Sequence, residues 1–171
     1  MNEYYFEPLV RSGEKYNVYT EVLGDECYTF NTKEAYLSVC EELGCNPKVE
    51  LFEVSKLKHI EDYNRDAVIA LTDKIRAEGR WIRPLCVNKE GLVMDGQHRM
   101  EVAKNLGLSK VPVIIYNYNQ VPIYSLRDDY SFSYRDVVRR VGENNIYPYK
   151  TVKHVFNEDD LRCDYILEDL R

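Results

Sequence analysis

The stretch Leu92-Val-Met-Asp-Gly-Gln-His-Arg-Met-Glu-Val-Ala-Lys-Asn-Leu-Gly107 decides the fold. It predicts a short buried strand, a polar turn at Asp95-Gly96 and then a helix, because apolar residues recur at helical spacing after the turn. His98 and Arg99 therefore fall in the first helical turn, where cations are disfavoured beside the positive end of the helix dipole. A bound anion would remove this conflict. Free backbone N–H groups, a glycine and an arginine make the junction a candidate phosphate site.

Length and composition predict one domain, or one domain with a small appendage. The chain has 171 residues, of which 44% are hydrophobic and 30% charged, so it can build a core and is not expected to be disordered. A net charge of −6 argues against non-specific nucleic-acid binding but leaves room for a local basic pocket. Five scattered cysteines without a CxxC pair, and no apolar run of membrane-spanning length, favour a cytoplasmic protein with reduced thiols and no membrane contact.

Hydrophobic periodicity outside this stretch predicts an α+β protein in two parts. Residues 1–48 are expected to form an N-terminal extension of short strands and one helix between Asn31 and Gly44. Residues 49–116 read as strand, helix, strand, strand, helix, strand, which predicts a small mixed sheet with packed helices. The first of these helices is expected from about Arg65 to Glu78, with Gly79 as its stop. Pro112 indicates that the last of these strands lies at an edge of the sheet or has only begun there.

The C-terminal third has weaker signals. A capping box at Ser133 predicts a helix that runs to Val141. Residues 146–156 read as a loop dense in functional groups, and residues 157–171 as a terminal helix. We therefore assign residues 49–171 to one domain with a C-terminal helical and loop segment.

Two acidic residues have more than one interpretation. Glu61 either caps the following helix or is solvated. Asp95, at the end of the strand, either caps the central helix or takes part in a site. The three histidines all fall in polar junctions and not on apolar helical faces, which favours functional roles.

Residues 49–116 resemble the ParB/sulfiredoxin superfamily. The resemblance rests on Val49-Glu-Leu-Phe-Glu-Val-Ser-Lys-Leu57, on Asp95-Gly-Gln-His-Arg99, which matches a DGxHR motif, and on the following Leu106-Gly107 and Val111-Pro-Val113. Sulfiredoxins carry a catalytic cysteine before the His-Arg pair, and Gln97 stands there, so sulfur chemistry is not expected. ParB partition proteins bind CTP in the same pocket and add a helix-turn-helix DNA reader.

The third branch, the free serine kinase group, matches a second segment. Its members have a DGHHR motif and a later segment of the type PPK[ST]TRH that helps to hold nucleotide phosphates. This chain has Asp95-Gly-Gln-His-Arg99 and Tyr147-Pro-Tyr-Lys-Thr-Val-Lys-His154. Glu61 occupies the place of the family's catalytic glutamate. Gln97 and Val152 depart from the family pattern.

The resemblance implies a nucleotide site with divided roles. Glu61 would take the proton of the acceptor hydroxyl, and Asp95 would hold Mg²⁺ or orient the acceptor. The phosphates of ATP or ADP, or of CTP as in the partition proteins, would be bound by Gly96, Gln97, His98, Arg99, Lys150, Thr151 and His154.

These residues lead to a kinase hypothesis. The chain is expected to transfer phosphate from a nucleotide to a small hydroxylated metabolite, as free serine kinases do. The alternative is a ParB-like nucleotide-binding regulatory or DNA-partition module without phosphotransfer. Nucleic acid is not an expected partner because the chain is acidic, and a nuclease is disfavoured because no metal–carboxylate cluster is visible. The oligomeric state stays open.

Overall fold

The structure, a computed structural model, describes residues 49–156 and 161–171 in full and the backbone of three N-terminal strands. The predicted helix between Asn31 and Gly44 lies outside the described residues. The N-terminal strands form an antiparallel sheet in the order β1-β2-β3. In chain order the strands are β1 (Tyr4–Phe6), β2 (Tyr16–Thr20), β3 (Cys27–Phe30), β4 (Val49–Glu53), β5 (Arg80–Trp81), β6 (Leu85–Val87), β7 (Val93–Asp95), β8 (Lys110–Ile115), β9 (Ile123–Ser125), β10 (Val152–His154) and β11 (Tyr165–Ile166). The α-helices of the described chain are α1 (Arg65–Glu78), α2 (Gln97–Asn105) and α3 (Tyr134–Gly142).

A four-stranded mixed sheet in the order β4-β8-β6-β7 forms the centre of the domain. The β8 strand pairs antiparallel with β4 and parallel with β6, and β7 returns antiparallel to β6. This confirms the predicted α+β fold with a small mixed sheet. Pro112 lies inside the sheet and not at its edge, and β6 begins to pair with β8 only one residue later, at Val113.

Both faces of the sheet are covered, which explains the continuous apolar runs of its inner strands. Leu85 and Val87 of β6 belong to a core shared with α1 and α2, whereas Cys86 between them belongs to a second core shared with α3. Met94 of β7 faces this second core. The alternation of side chains along a strand thus divides the interior into two cores, one on each face of the sheet.

Local signals set the ends of α1 and α3 as predicted. The Asn64 side chain accepts a hydrogen bond from the Ala67 N–H at the start of α1, and Gly79 ends that helix in the left-handed conformation. Ser133 and Asp136 form the predicted capping box of α3.

Two predictions for the C-terminal part are wrong. The segment 146–156 is not only a loop, since β10 pairs with β9 and alternates buried Val152 and His154 with exposed Lys153. Residues 165–170 form β11, which pairs with β5, and a 3₁₀ turn, not an α-helix. The apolar side chains of Leu167 and Leu170 stabilise this turn because they enter the core on the α1 side of the sheet.

Within the described part of the chain, no helix combines the length and apolar character needed to span a membrane.

Candidate functional site

The start of α2 leaves its first backbone N–H groups without a side-chain cap. Asp95 therefore does not cap this helix. Gly96 occupies the N-cap position with φ 113°. A Cβ atom there would lie 2.8 Å from Cγ of Leu85 and 3.3 Å from Nη2 of Arg99, so only glycine fits without displacing its neighbours.

Arg99 is held in place by two acceptors beside this turn. Its Nη1 donates to the Pro84 carbonyl at 2.7 Å and its Nη2 to Oδ2 of Asp95 at 3.2 Å. The Arg99 side chain is 16% exposed, whereas that of Asp95 is 61% exposed. The guanidinium group is thus preorganised, and the carboxylate of Asp95 remains accessible from the solvent.

His98 is a neutral hydrogen-bonding group rather than a cation. Its Nε2 accepts a hydrogen bond from the Asn64 N–H at 3.1 Å, so the ring proton belongs on Nδ1. Burial, with the nearby charges of His59 and Arg99, lowers the pKa of His98. The conflict with the helix dipole is therefore already resolved by the protein. The case for an anion site rests on the uncapped N–H groups.

The Gln97 side chain points into the protein and is fully engaged there. Its Nε2 donates to the Val93 carbonyl at 2.5 Å, and its Oε1 accepts from Nδ1 of His59 at 2.7 Å. The other ring nitrogen of His59 lies 2.6 Å from Oε1 of Glu101. Gln97 thus ties the start of α2 to β7 and to the loop before α1, which leaves only its backbone N–H for a ligand.

Glu61 anchors the second of the two segments that the sequence singled out, residues 147–154. Its Oε2 accepts hydrogen bonds from the N–H groups of Thr151 at 3.0 Å and Val152 at 2.9 Å. Burial raises the pKa of Glu61, opposed by these two bonds and by the charge of Arg127. A half-buried carboxylate with a raised pKa has the properties of a general base.

The segment around Lys150 places its side chains differently from the expected phosphate loop. Lys150 is exposed and has a left-handed backbone with φ 56°, uncommon for a residue with a side chain. Thr151 is fully buried, and its hydroxyl donates to the Pro148 carbonyl at 2.6 Å. The Thr151 hydroxyl is therefore not directed toward a ligand, whereas Lys150 is accessible.

His154 is a buried neutral residue. Its Nε2 lies 2.7 Å from the Tyr118 hydroxyl, and burial lowers the pKa of His154 to about 3. Burial also raises the pKa of Tyr118, so this phenol stays protonated. His154 can shape the wall of a site but does not bring a positive charge to it.

One cleft of about 720 Å³ joins these groups. Every residue predicted for the site lines it except Thr151, so Arg99, Lys150 and His154 share one cavity as the kinase hypothesis requires. Arg83 and Lys153 add two further cations. The four cations of the lining exceed its three carboxylates, those of Glu61, Asp62 and Asp95, by one. In a chain of net charge −6 this local positive excess suits an anionic ligand.

Sequence reasoning missed Arg127, which follows β9 in a stretch without a recognisable motif. Its Nη2 donates to the Tyr149 carbonyl at 2.7 Å, directly before Lys150. Only the pairing of β9 with β10 brings Arg127 to this loop. No pattern in the sequence marks it.

The described residues contain no group of three or more histidine, cysteine, aspartate or glutamate side chains that could enclose a metal ion. Asp95 alone fits the usual magnesium arrangement, in which one or two carboxylates act together with water and substrate phosphates. Any metal at this position would therefore depend on the ligand for most of its coordination.

Comparison with known proteins identifies the fold. Residues 41–125 match the family model of the ParB N-terminal domain. Within this match, the described residues 49–125 have the ParB/sulfiredoxin-like fold. A curated relative, an uncharacterized protein of Acidianus two-tailed virus, is 39% identical over 49 residues, and this match spans 27% of the present chain and 15% of the viral protein.

Solved structures extend this similarity beyond the matched domain. A free serine kinase in complex with AMP superposes with a TM-score of 0.66 at 14% identity, over 74% of this chain and 95% of the kinase. A conserved hypothetical protein from Pyrococcus furiosus superposes at 0.56 and 13% identity, over 72% and 97% of the two chains. SbnI from Staphylococcus aureus, truncated at its C-terminus, superposes at 0.56 and 14% identity, over 67% and 84%. At identities this low, the superpositions establish a shared fold alone.

Proposed function

We propose that this protein is a nucleotide-dependent kinase that phosphorylates the hydroxyl group of a small metabolite. One observation carries the proposal: the uncapped start of α2, exposed Lys150 and the carboxylate of Glu61 face one cleft. The kinase with this fold was solved in complex with AMP, and its glutamate-to-alanine variant in complex with ADP, which supports ATP or ADP as the donor. Phosphoryl transfer needs mainly positioning and charge neutralisation, and these groups supply both.

The residues of the cleft divide the work as follows. Backbone N–H groups of Gln97 and His98, with Lys150, bind the phosphates, and Arg99 keeps the Gly96 turn in place. Asp95 would hold Mg²⁺, which supplies charge neutralisation on the phosphates when it is bound.

Glu61 accepts the proton of the acceptor hydroxyl. The acceptor oxygen then forms a new bond to the transferred phosphorus, and the bond from that phosphorus to the bridging oxygen of the nucleotide breaks. The nucleotide leaves with one phosphate fewer. Because both backbone hydrogen bonds reach Oε2, Oε1 of Glu61 is the atom suited to receive the proton.

The direct test is a transfer assay. The protein is incubated with ADP or ATP, Mg²⁺ and a panel of serine-like hydroxyl compounds, and phosphorus NMR detects a new phosphate monoester. We expect product with at least one acceptor. Nucleotide binding without product from any acceptor would favour the alternative, a regulatory module without phosphotransfer.

Helix α3 supports a DNA-partition role less well than the cleft supports a kinase. The arginines of this helix contact groups of the protein itself: Arg139 pairs with Asp136, and Nε of Arg140 donates to the Asn145 carbonyl at 2.7 Å. The guanidinium of Arg140 also covers the ring of Tyr147 at 4.0 Å.

Replacing Lys150 by glutamine should weaken nucleotide binding by about tenfold, because a charge-assisted contact with phosphate is lost. The side chain is exposed, so the fold should not change. Calorimetric titration with ADP measures the effect. Lys74→Gln on the exposed surface of α1 is the matched control and should bind ADP like the wild type. Equal affinities of the two variants for ADP would show that Lys150 does not contact the nucleotide.

The acid limb of the pH profile of kcat should reflect the protonation of Glu61. Burial raises the pKa of Glu61, so activity should fall with decreasing pH above the range of an ordinary glutamate. The groups that act on this carboxylate are the N–H groups of Thr151 and Val152, the Arg127 charge and the Tyr118 hydroxyl.

Arg127→Gln removes the positive charge that lowers the pKa of Glu61. The limb should move to higher pH by less than about one unit, since exposed charges are screened. Arg127→Lys retains the charge and should leave the limb near its wild-type position. An unchanged limb in Arg127→Gln would contradict an effect of the Arg127 charge on the pKa of Glu61.

A further inference from the structure

His59 lies in the loop that carries Glu61, and its ring is held between two side chains of helix α2. Nδ1 of the ring lies 2.7 Å from Oε1 of Gln97, and Nε2 lies 2.6 Å from Oε1 of Glu101. The side chains of His59 and Glu101 are only 14% and 17% exposed. The ring of Tyr63 covers that of His59 with centroids 4.8 Å apart. The orientation of the imidazole is therefore fixed at both nitrogens.

The amide of Gln97 decides the state of the first ring nitrogen. Its Nε2 donates to the Val93 carbonyl at 2.5 Å, so the amide atom that faces His59 is the oxygen. An amide oxygen only accepts hydrogen bonds. Nδ1 of His59 therefore carries a hydrogen and donates it to Gln97.

The carboxylate of Glu101 decides the state of the second ring nitrogen. Burial would raise the pKa of Glu101, but hydrogen bonds from His59 and Lys104 outweigh burial and lower this pKa. Nζ of Lys104 lies 3.1 Å from Oε1 of Glu101. Because an ionised carboxylate only accepts hydrogen bonds, Nε2 of His59 also carries a hydrogen. The ring is thus an imidazolium cation that donates to both partners.

The backbone of the loop is fixed on both sides of the proposed base. The Lys58 N–H donates to the Gly91 carbonyl at 2.8 Å, and the Asp62 N–H donates to the Tyr147 carbonyl at 2.8 Å. The imidazolium projects from this anchored segment to the side chain of Gln97. The position of the first turn of α2 is therefore tied to the loop that carries the base.

The spacing between these two parts matters for the proposed reaction. The N–H groups of Gln97 and His98 hold the phosphates at the start of α2, and Glu61 removes the proton of the acceptor. Both must meet the acceptor oxygen and the phosphorus at once. A displacement of about 1 Å between such groups can cost about 10²-fold in rate.

We propose that His59 is a positioning residue, which holds the phosphate-binding start of α2 at a fixed distance from Glu61. This inference rests on the proposed kinase function. His59 acts through its bond to Gln97 and does not touch the reacting atoms, while Glu101 orients the ring.

Two substitutions separate the roles of the two ring nitrogens. The amide nitrogen of an asparagine can take the place of Nδ1 and keep the bond to Gln97. That of a glutamine can take the place of Nε2 and keep only the bond to Glu101. We expect kcat to fall at least about tenfold in His59→Gln and less than about threefold in His59→Asn. Calorimetry should show ADP affinities within about threefold of the wild type for both variants, because the N–H groups of α2 remain.

Nitrogen-15 NMR of the imidazole side chains tests the assignment of the protons without nucleotide. The chain has three histidines, and the signals that are absent in His59→Asn belong to His59. At neutral pH the wild type should show hydrogen on both nitrogens of this ring. Glu101→Gln removes the carboxylate and should leave hydrogen on Nδ1 alone.

Three results would overturn the role of His59. These are wild-type kcat in His59→Gln, equal losses of kcat in His59→Gln and His59→Asn, as a merely structural role would give, or a neutral His59 ring in the wild type. A wild type that neither binds ADP nor transfers phosphate would overturn the kinase proposal and this role with it. That failure is recognised separately, because it appears in the wild type itself and leaves the NMR result unchanged.

Discussion

Replacing Glu61 by glutamine is expected to lower kcat for phosphoryl transfer by about 10²–10⁴-fold, the usual contribution of a general base. Glutamine keeps an oxygen that can accept the backbone hydrogen bonds now made to Oε2 of Glu61. It cannot accept the proton of the acceptor hydroxyl. The variant should therefore bind ADP with nearly wild-type affinity and unfold at a similar temperature while turnover is lost.

A second substitution separates catalysis from anchoring. Glu61→Ala removes the acceptor of both the Thr151 and Val152 N–H groups, so it should also destabilise the loop that carries Lys150. Two amides without their partner cost on the order of 1–3 kcal/mol each where water cannot replace it. We expect Glu61→Ala, and not Glu61→Gln, to weaken ADP binding in calorimetry and to lower the unfolding temperature. If Glu61→Gln turns over like the wild type, Glu61 is an anchor only and the proposed base is wrong.

Replacing Gly96 by alanine should destabilise the protein by about 1–3 kcal/mol and weaken nucleotide binding. The new Cβ would lie 2.8 Å from Cγ of Leu85, and the backbone conformation, with φ 113°, is unfavourable for any residue with a side chain. Leu85 is fully buried and cannot move without disturbing the core. Movement of the turn would instead misplace the N–H groups at the start of α2.

Two other glycines serve as matched controls for this effect. Gly79 has φ 70° with open space around it, so Gly79→Ala measures the cost of the backbone conformation alone, about 1–2 kcal/mol. Gly142 lies in α3 with open space, so Gly142→Ala should be neutral or stabilising. In denaturant unfolding, the free energy of unfolding should be lowest for Gly96→Ala, higher for Gly79→Ala and highest for Gly142→Ala. Equal stability of Gly96→Ala and Gly79→Ala would show that the contact with Leu85 is relieved without cost.

Helices with strong terminal signals could be predicted to within about one residue at their ends. Helix α1 runs from Arg65 to Glu78 and ends at Gly79, as the apolar spacing and the glycine indicated. The junction at Asp95-Gly96 and the start of α2 at Gln97 were predicted equally well. These features depend on hydrogen bonds within a few residues, so the signals that cause them lie close together in the chain.

The C-terminal strands could not be predicted in the same way. Strand β10 exists because β9, more than twenty residues earlier, offers it a partner, and β11 because β5 does. Neither segment is long enough to show a decisive periodicity. Their pairing partners come from parts of the chain that local patterns do not connect.

Side-chain direction within the site also escaped prediction. Thr151 and His154 were assigned to phosphate binding by their place in a motif. The Thr151 hydroxyl instead donates to a backbone carbonyl, and the His154 ring is buried beside Tyr118. His98 was taken for a cation, but Asn64 donates to its ring and burial lowers its pKa. Arg127 carried no signal at all.

The amino-acid order was thus sufficient to identify the strand–turn–helix junction, the superfamily and two segments that meet in one cleft. Folding alone established which of those side chains remain accessible and which are neutral. The physical reason is the range of the interactions involved. Turns and helix ends are specified by neighbours in the chain, whereas burial, protonation and hydrogen-bond partners arise from contacts such as that between Glu61 and Val152, 91 positions apart.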